Sequence, residues 1–342
     1  MQQDTGPDRN RPKKTARAFW VTGPGQGELR AEALPAPEAG SVRVRTLYSA
    51  ISRGTEALVF HGRVPASQYA AMRAPFQAGE FPAPVKYGYI SVGEIEDGPE
   101  AGTRVFCLYP HQDRYQVPRT EVSAISPDVP PERAVLAANL ETAINAVWDA
   151  GTGPGDRVAV IGAGAVGLLA AWLIRAIPGT RVTVIDPNAR RGPVASALGL
   201  TLCHPEAAAA EPSLRDVDGV VHASGRPEGL QLGLALAGVE ARVVELSWYG
   251  DRKVEVPLGE GFHARRLTLR SSQVGRVPPE RAARWDGRRR LALALSLLRD
   301  PALDILISGE DRFEDLPAAM ARVTGPEADA TLCHRIRYPA AE

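Results

Sequence analysis

Apolar positions run almost unbroken over residues 158–161 and again over 182–185, too short for helices and too continuous for half-exposed strands. Such runs predict strands buried on both faces. Between them, residues 168–177 have the length and composition of an apolar helix. The alternation continues, with strands predicted at 200–204, 219–223, 242–246 and 267–274 and helical segments between them. A helix beginning after Asp186 is interrupted at Gly192-Pro193, where Pro193 suits the first turn of a restarted helix. Strand–helix alternation of this kind predicts a parallel sheet covered by helices on both faces.

The flanking pattern differs. Short strands are predicted at 18–21, 29–33 and 42–47, between Gly/Pro-rich breaks. Residues 48–56 read as a polar turn, 64–84 as a long proline-bearing loop, and 87–96, 104–108 and 115–117 as further strands. Long loops in compact domains are usually lids or binding segments. Residues 131–150 are helical by composition. Later residues predict a helix at 289–299, a strand at 303–307, a helix at 316–323 and a strand at 331–338.

The chemistry sits at the first buried run. Residues 158–161 are followed at once by Gly162-Ala163-Gly164-Ala165-Val166-Gly167, and Asp186 closes the next run. Gly162 permits a tight strand-to-helix turn, Gly164 lets backbone approach a pyrophosphate, and Gly167 lets helix and strand pack. Free N–H groups at the helix start then face phosphate oxygens. An acid about twenty residues on accepts hydrogen bonds from ribose hydroxyls. Its charge repels a 2′-phosphate, which favours NAD over NADP, although Arg190 and Arg191 lie close by. Ligands of open α/β sheets lie beyond the carboxyl ends of the strands. Ser224, Leu246 and Ser247, at the ends of the fourth and fifth strands, therefore join the expected cofactor site.

Composition narrows the partners. Lys+Arg and Asp+Glu both total 40 in 342 residues, so no net charge points to nucleic acid or an anionic membrane. No apolar run has the length of a membrane span. The polar first 16 residues read as a disordered tail without a secretory core, leaving the cytoplasm as the default location. Cys107, Cys203 and Cys333 are too few for a four-cysteine zinc site. The Cys203-His204 and Cys333-His334 pairs point to opposite faces of a strand.

The order of elements, with Gly155 to Leu168 and residues 304–320 as its most specific pieces, resembles the medium-chain dehydrogenase/reductase superfamily. The resemblance implies an α/β fold: a Rossmann doubly wound parallel sheet over residues 131–275, plus a β-rich, GroES-like substrate domain built from residues 17–130 and 276–342. It also implies a cleft active site and a homodimer. Zinc-type members carry a ligand cysteine where this chain has Ser52, a ligand histidine at Tyr89 and a third ligand near Ala138. None is an ordinary zinc ligand, so the resemblance points to a metal-free branch. Residues 52–56 and 88–93 are similar to the dehydrogenases that oxidise the hydroxyethyl group of a bacteriochlorophyllide.

Without zinc, hydrogen-bond donors must stabilise the developing alkoxide. Tyr89 is the first candidate, with Ser52, Thr55, Glu56 and Glu141 as polar neighbours. Lys86 or Arg53 is expected to pair with Glu56 or to lower the Tyr89 pKa. His61 and His111 read as loop histidines, and His222 as a satisfied core histidine. Trp248, Tyr249 and Arg270 either line the nicotinamide end or pack the interface. The resemblance also implies that Arg191, the basic residue five positions after the acid, flanks the ribose of NAD. The function expected is an NAD-dependent, zinc-independent interconversion of a secondary alcohol and its ketone, a small-molecule substrate. The alternatives are an NADPH-dependent enone or quinone reductase and a catalytically silent nucleotide-binding protein.

Overall fold

The computed structural model describes residues 15–326 and 328–340. Most of the expected tail lies outside the described residues. Its last two positions belong to a strand, because Thr15 and Ala16 pair with Ala33 and Glu32.

Six strands form an all-parallel sheet in the order Thr201–Cys203, Arg181–Ile185, Arg157–Ile161, Val217–His222, Ala237–Glu245, Thr268–Ser271. The order reverses at Arg157–Ile161, the first strand to enter. This opens a crevice beyond its carboxyl end, where such sheets bind ligands. Val158, Ala159, Val160 and Ile161 are all buried, as an unbroken apolar run requires. Helices Ala137–Ala150 and Ala165–Arg175 pack on one face through Leu140, Ile144, Leu168 and Leu169. Helix Pro227–Leu236 covers the other with Leu230 and Leu234.

The β-rich part contains a seven-stranded sheet and a four-stranded one. Ser41–Ile51 is the axis of the larger sheet. It pairs antiparallel with Ser91–Ile95, Arg114–Pro118 and Cys333–Arg337. Residues from both ends of the sequence thus share one sheet, as expected.

Local expectations failed in three places. The polar stretch 48–56 is the end of strand Ser41–Ile51 followed by helix Arg53–Phe60, whose Leu58, Val59 and Phe60 are buried. Tertiary burial of that face outweighs the turn-like composition. Residues 303–307 are mostly a 3-10 helix, Pro301–Leu306, started by Asp300, whose side chain accepts from the Ala302 N–H. The strand comes later, at Ile307–Arg312. Of the strand predicted over 87–96, only Ser91–Ile95 pairs, because Gly88 turns the chain at φ +131°.

Candidate active site

Two of the three glycines of the turn are required by backbone and packing geometry. Gly162 has φ +108°, and a Cβ there would lie 2.7 Å from the Ser224 nitrogen. A Cβ on Gly167 would overlap the Gly162 carbonyl oxygen. Both glycines are demanded by the protein itself. Gly164 is different: a Cβ there would meet no protein atom within 4 Å. It caps helix Ala165–Arg175 in an extended conformation. A bare N-terminal turn with open space in front of it fits a phosphate ligand. Ala163 and Ala165 are buried, and Val166 packs against the core.

Asp186 stands at the carboxyl end of the adjacent strand. Its Oδ2 accepts from the Ala163 N–H at 2.7 Å and its Oδ1 from the Asn188 N–H at 2.8 Å. These bonds fix the carboxylate beside the turn, and each oxygen keeps a second lone pair for a ligand hydroxyl. Arg191 does something other than flank an open ribose position. It is buried, and its guanidinium donates to the main-chain oxygens of Asp329, Ala330 and Thr331 at 2.5, 3.1 and 2.9 Å. It fastens that segment to the nucleotide unit. Burial holds the pKa of Arg191 below its ordinary value, with Asp186 and Arg53 close enough to act in opposite senses.

Ser224, Leu246 and Ser247 do lie at the strand ends. The Leu246 N–H bonds to the His222 carbonyl at 2.9 Å, and Ser247 Oγ accepts from the Gly225 N–H at 3.0 Å. Trp248 continues into the apolar cluster of Val59, Phe60 and Val64, so the loop after the fifth strand meets the β-rich part. Arg270 packs rather than lines the site: it is paired with Asp149 at 2.8 Å and Glu280 at 3.1 Å.

On the β-rich side the structure brings Tyr89, Ser52, Thr55 and Glu56 together. The Tyr89 hydroxyl donates to Ser52 Oγ at 2.5 Å, with Thr55 beside the phenol. Glu56 is 3% exposed; its Oε1 accepts from the Ser52 N–H at 2.7 Å. Burial, reinforced by the Glu56 charge, pushes Tyr89 up to about 12. The expected helper cations are elsewhere. Lys86 is committed to Glu32 at 2.6 Å and Gln112 at 2.8 Å. The partner of Glu56 is His111, at 2.9 Å.

His111 is therefore no surface residue; it is 1% exposed. Its Nδ1 lies 2.7 Å from Ser49 Oγ, which meets the Tyr338 hydroxyl at 3.1 Å. The chain Glu56–His111–Ser49–Tyr338 underlies the Tyr89–Ser52 pair, and no sequence periodicity announces it. His61 bonds to Thr324 at 3.1 Å. His222, read as a satisfied core histidine, is that: both ring nitrogens have partners.

Glu141 serves the fold. Its carboxylate takes Arg290 at 3.0 Å, inside a buried network with Asn145, Asp149 and Ser272 that joins helix Ala137–Ala150 to helix Gly287–Leu297. Burial raises the pKa of Glu141 and Arg290 opposes the rise.

No group of three or more His, Cys, Asp or Glu side chains is placed to hold a metal ion among the described residues. At the positions where the resemblance implies zinc ligands, two hydroxyls are hydrogen-bonded to each other. That donor set does not suit zinc, which takes thiolate, imidazole and carboxylate.

No family model matches the chain. Solved structures match it over nearly its whole length. An alcohol dehydrogenase of Escherichia coli, solved with NADH, superposes with a TM-score of 0.75 at 17% identity, over 94% of this chain and 99% of that one. The 2R,3R-butanediol dehydrogenase of Bacillus subtilis gives 0.73 at 17% identity, over 95% and 100%. A zinc-binding dehydrogenase of Sinorhizobium meliloti, solved with NADP, gives 0.74 at 18% identity, over 95% and 99%. These likenesses establish the fold: a Rossmann sheet joined to a GroES-like β-rich part. By sequence, 86 residues are 34% identical to an aliphatic (R)-hydroxynitrile lyase of Linum usitatissimum, which spans 25% of this chain and 20% of that protein.

Proposed function

We propose that this chain is an NAD-dependent, zinc-independent oxidoreductase that interconverts a secondary alcohol and its ketone. The observation that carries the reading is the presence of two half-sites: the open phosphate turn at Gly164 beside Asp186, and the hydroxyl pair Tyr89–Ser52. Its fold, shared with structures solved with NADH and NADP, supports a nicotinamide cofactor. NAD supplies the hydride chemistry when bound. The chain's own residues hold and orient it: the helix N–H groups at the pyrophosphate and Asp186 at the ribose hydroxyls.

The substrate oxygen needs a proton donor when a ketone is reduced. Ser52 Oγ accepts from Tyr89 and so has its own hydrogen to offer outward. Tyr89, held protonated, stabilises the partial charge that builds on Ser52. In the oxidation direction the alcohol gives its proton up to solvent water, and the same two hydroxyls stabilise the alkoxide. Burial, with the charge of Glu56, keeps Tyr89 from ionising; Glu56, anchored by His111 and the Ser52 N–H, is a positioning residue. The likeness of residues 52–56 and 88–93 to the bacteriochlorophyllide-type dehydrogenases supports a secondary alcohol. We take the β-rich residues 17–130 and 276–342 as the substrate domain, the protein as a cytoplasmic homodimer, and the substrate as a small molecule.

The test is turnover of a panel of secondary alcohols, ketones and enones with NAD(H) and NADP(H), before and after chelation, with elemental analysis. Reaction with alcohols or ketones, unaffected by chelation and without stoichiometric zinc, is expected. About one tightly held zinc per chain, lost together with activity, refutes the metal-free reading; turnover of enones alone refutes the reaction class.

Asp186→Ser is expected to weaken NAD binding and relax discrimination against NADP. It removes one charge repulsion and up to two charge-assisted hydrogen bonds, each worth about 1.5–3 kcal/mol. The shift in preference should be at least about tenfold. Titration with both nucleotides checks it, and an unchanged ratio would place the acid away from the ribose.

A further inference from the structure

A second hydrogen-bonded chain lies at the carboxyl ends of strands Val217–His222 and Ala237–Glu245. His222 is fully buried at the end of strand Val217–His222. Its Nδ1 is 2.7 Å from Glu245 Oε2 and its Nε2 is 2.6 Å from Ser224 Oγ. Glu245, on the neighbouring strand, also accepts from the Ser247 N–H at 2.6 Å and the Tyr249 hydroxyl at 3.0 Å. The first turn of helix Pro227–Leu236 presses against the pair. A Cβ on Gly229 would come within 2.5 Å of Ser224 Oγ and 2.7 Å of His222 Nε2.

With a single proton on the His222 ring, each of its two bonds has one direction. A carboxylate only accepts, so a neutral His222 carries its hydrogen on Nδ1 and gives it to Glu245. Its Nε2 is then an acceptor, and Ser224 must turn its O–H inward to it. The Arg226 N–H donates to the same oxygen at 3.1 Å. Ser224 Oγ has two lone pairs, so one acceptor position remains. Ser224 borders the nucleotide turn, since its nitrogen is what a Cβ on Gly162 would strike. Without the relay, a serine hydroxyl rotates to suit either a donor or an acceptor.

We propose that Glu245 and His222 lock Ser224 as a hydrogen-bond acceptor facing the bound dinucleotide, where it takes a ribose hydroxyl or the carboxamide N–H of the nicotinamide. Glu245 and His222 are thus positioning residues, and Ser224 touches the cofactor. The proposal rests on the nucleotide site proposed above and adds what holds and orients its far end.

The experiment is calorimetric titration of the full-length protein with NAD, ADP-ribose and ADP. Ser224→Ala is expected to weaken NAD binding roughly three- to tenfold, the worth of one neutral hydrogen bond, and to leave ADP unchanged. A matching loss with ADP-ribose assigns the donor to the ribose; a loss with NAD alone assigns it to the carboxamide. Glu245→Gln offers an N–H to His222 Nδ1, which forces the other tautomer and turns Ser224 outward as a donor. It should reproduce the loss, and in the Ser224→Ala background it should add little, because both act through one bond. Thermal melts separate this from misfolding: Ser224→Ala leaves the buried His222 Nε2 without its partner and melts at a lower temperature, but still in one cooperative transition above the titration temperature. Equal NAD affinity in wild type and Ser224→Ala, or losses in the two variants that simply add, overturns the relay. Failure of the wild type to bind NAD at all overturns the nucleotide site and the relay with it.

Discussion

Tyr89→Phe lowers turnover on the best substrate of the panel by on the order of 100-fold, the cost of removing a positioned proton donor. Phenylalanine keeps the ring that packs between the two apolar clusters and deletes only the oxygen bonded to Ser52. Cofactor affinity stays near wild type, because Asp186 and the glycine turn are untouched. The direction of the pKa shift sharpens the expectation. With Tyr89 pushed up to about 12, the phenol is neutral across the working range. It therefore acts as a donor and never as the resting base. Ketone reduction, which consumes a proton, should show no loss of rate between about pH 7 and 10 from this group. Single-turnover oxidation of NADH checks both statements. Wild-type turnover in the variant makes Tyr89 a wall of the cleft and leaves Ser52, with Glu56 behind it, as the next group to test.

Two alanine substitutions three residues apart give opposite phenotypes. Gly167→Ala drives a methyl into the Gly162 carbonyl, so backbone must move. It costs stability, about 1–3 kcal/mol by the usual price of overpacking. Gly164→Ala meets nothing in the protein and leaves the melting temperature unchanged. Its methyl stands instead where a pyrophosphate would come against the helix start, and NAD affinity falls by roughly tenfold or more. Melting curves and titrations on both variants decide. A Gly164→Ala protein that binds NAD like wild type moves the phosphate away from this turn.

The contrast between these glycines also shows what was legible. The nucleotide unit could be read because its signals are local: strand, turn, helix and acid follow one another within thirty residues, and each is marked by a pattern that burial and backbone geometry impose. The β-rich part yielded its class but not its site. Glu56 meets His111 across 55 positions, and Ser49 meets Tyr338 across 289. Neither pairing leaves a periodic trace, so from sequence His111 reads as a loop residue and Arg53 or Lys86 as the partner of Glu56. Arg191 misled for a related reason. Its spacing from Asp186 suits a ribose, whereas its partners are carbonyls 138 to 140 positions away. Glu141 reads from sequence as a polar neighbour of the site, and only the position of Arg290 shows that it braces two helices.

The sheet built on Ser41–Ile51 has a consequence for how the molecule comes together during synthesis. Ala50, Ser49 and Tyr48 pair with Arg335, Ile336 and Arg337. That side of the strand keeps its N–H and C=O groups unpaired until those late residues exist. The parallel sheet needs nothing beyond Ser271 for its own strands. A ribosome delivering about 5–20 residues each second would release the nucleotide unit seconds before the β-rich part can close. Through that interval the early strand presents an edge open to a chaperone or to another nascent chain.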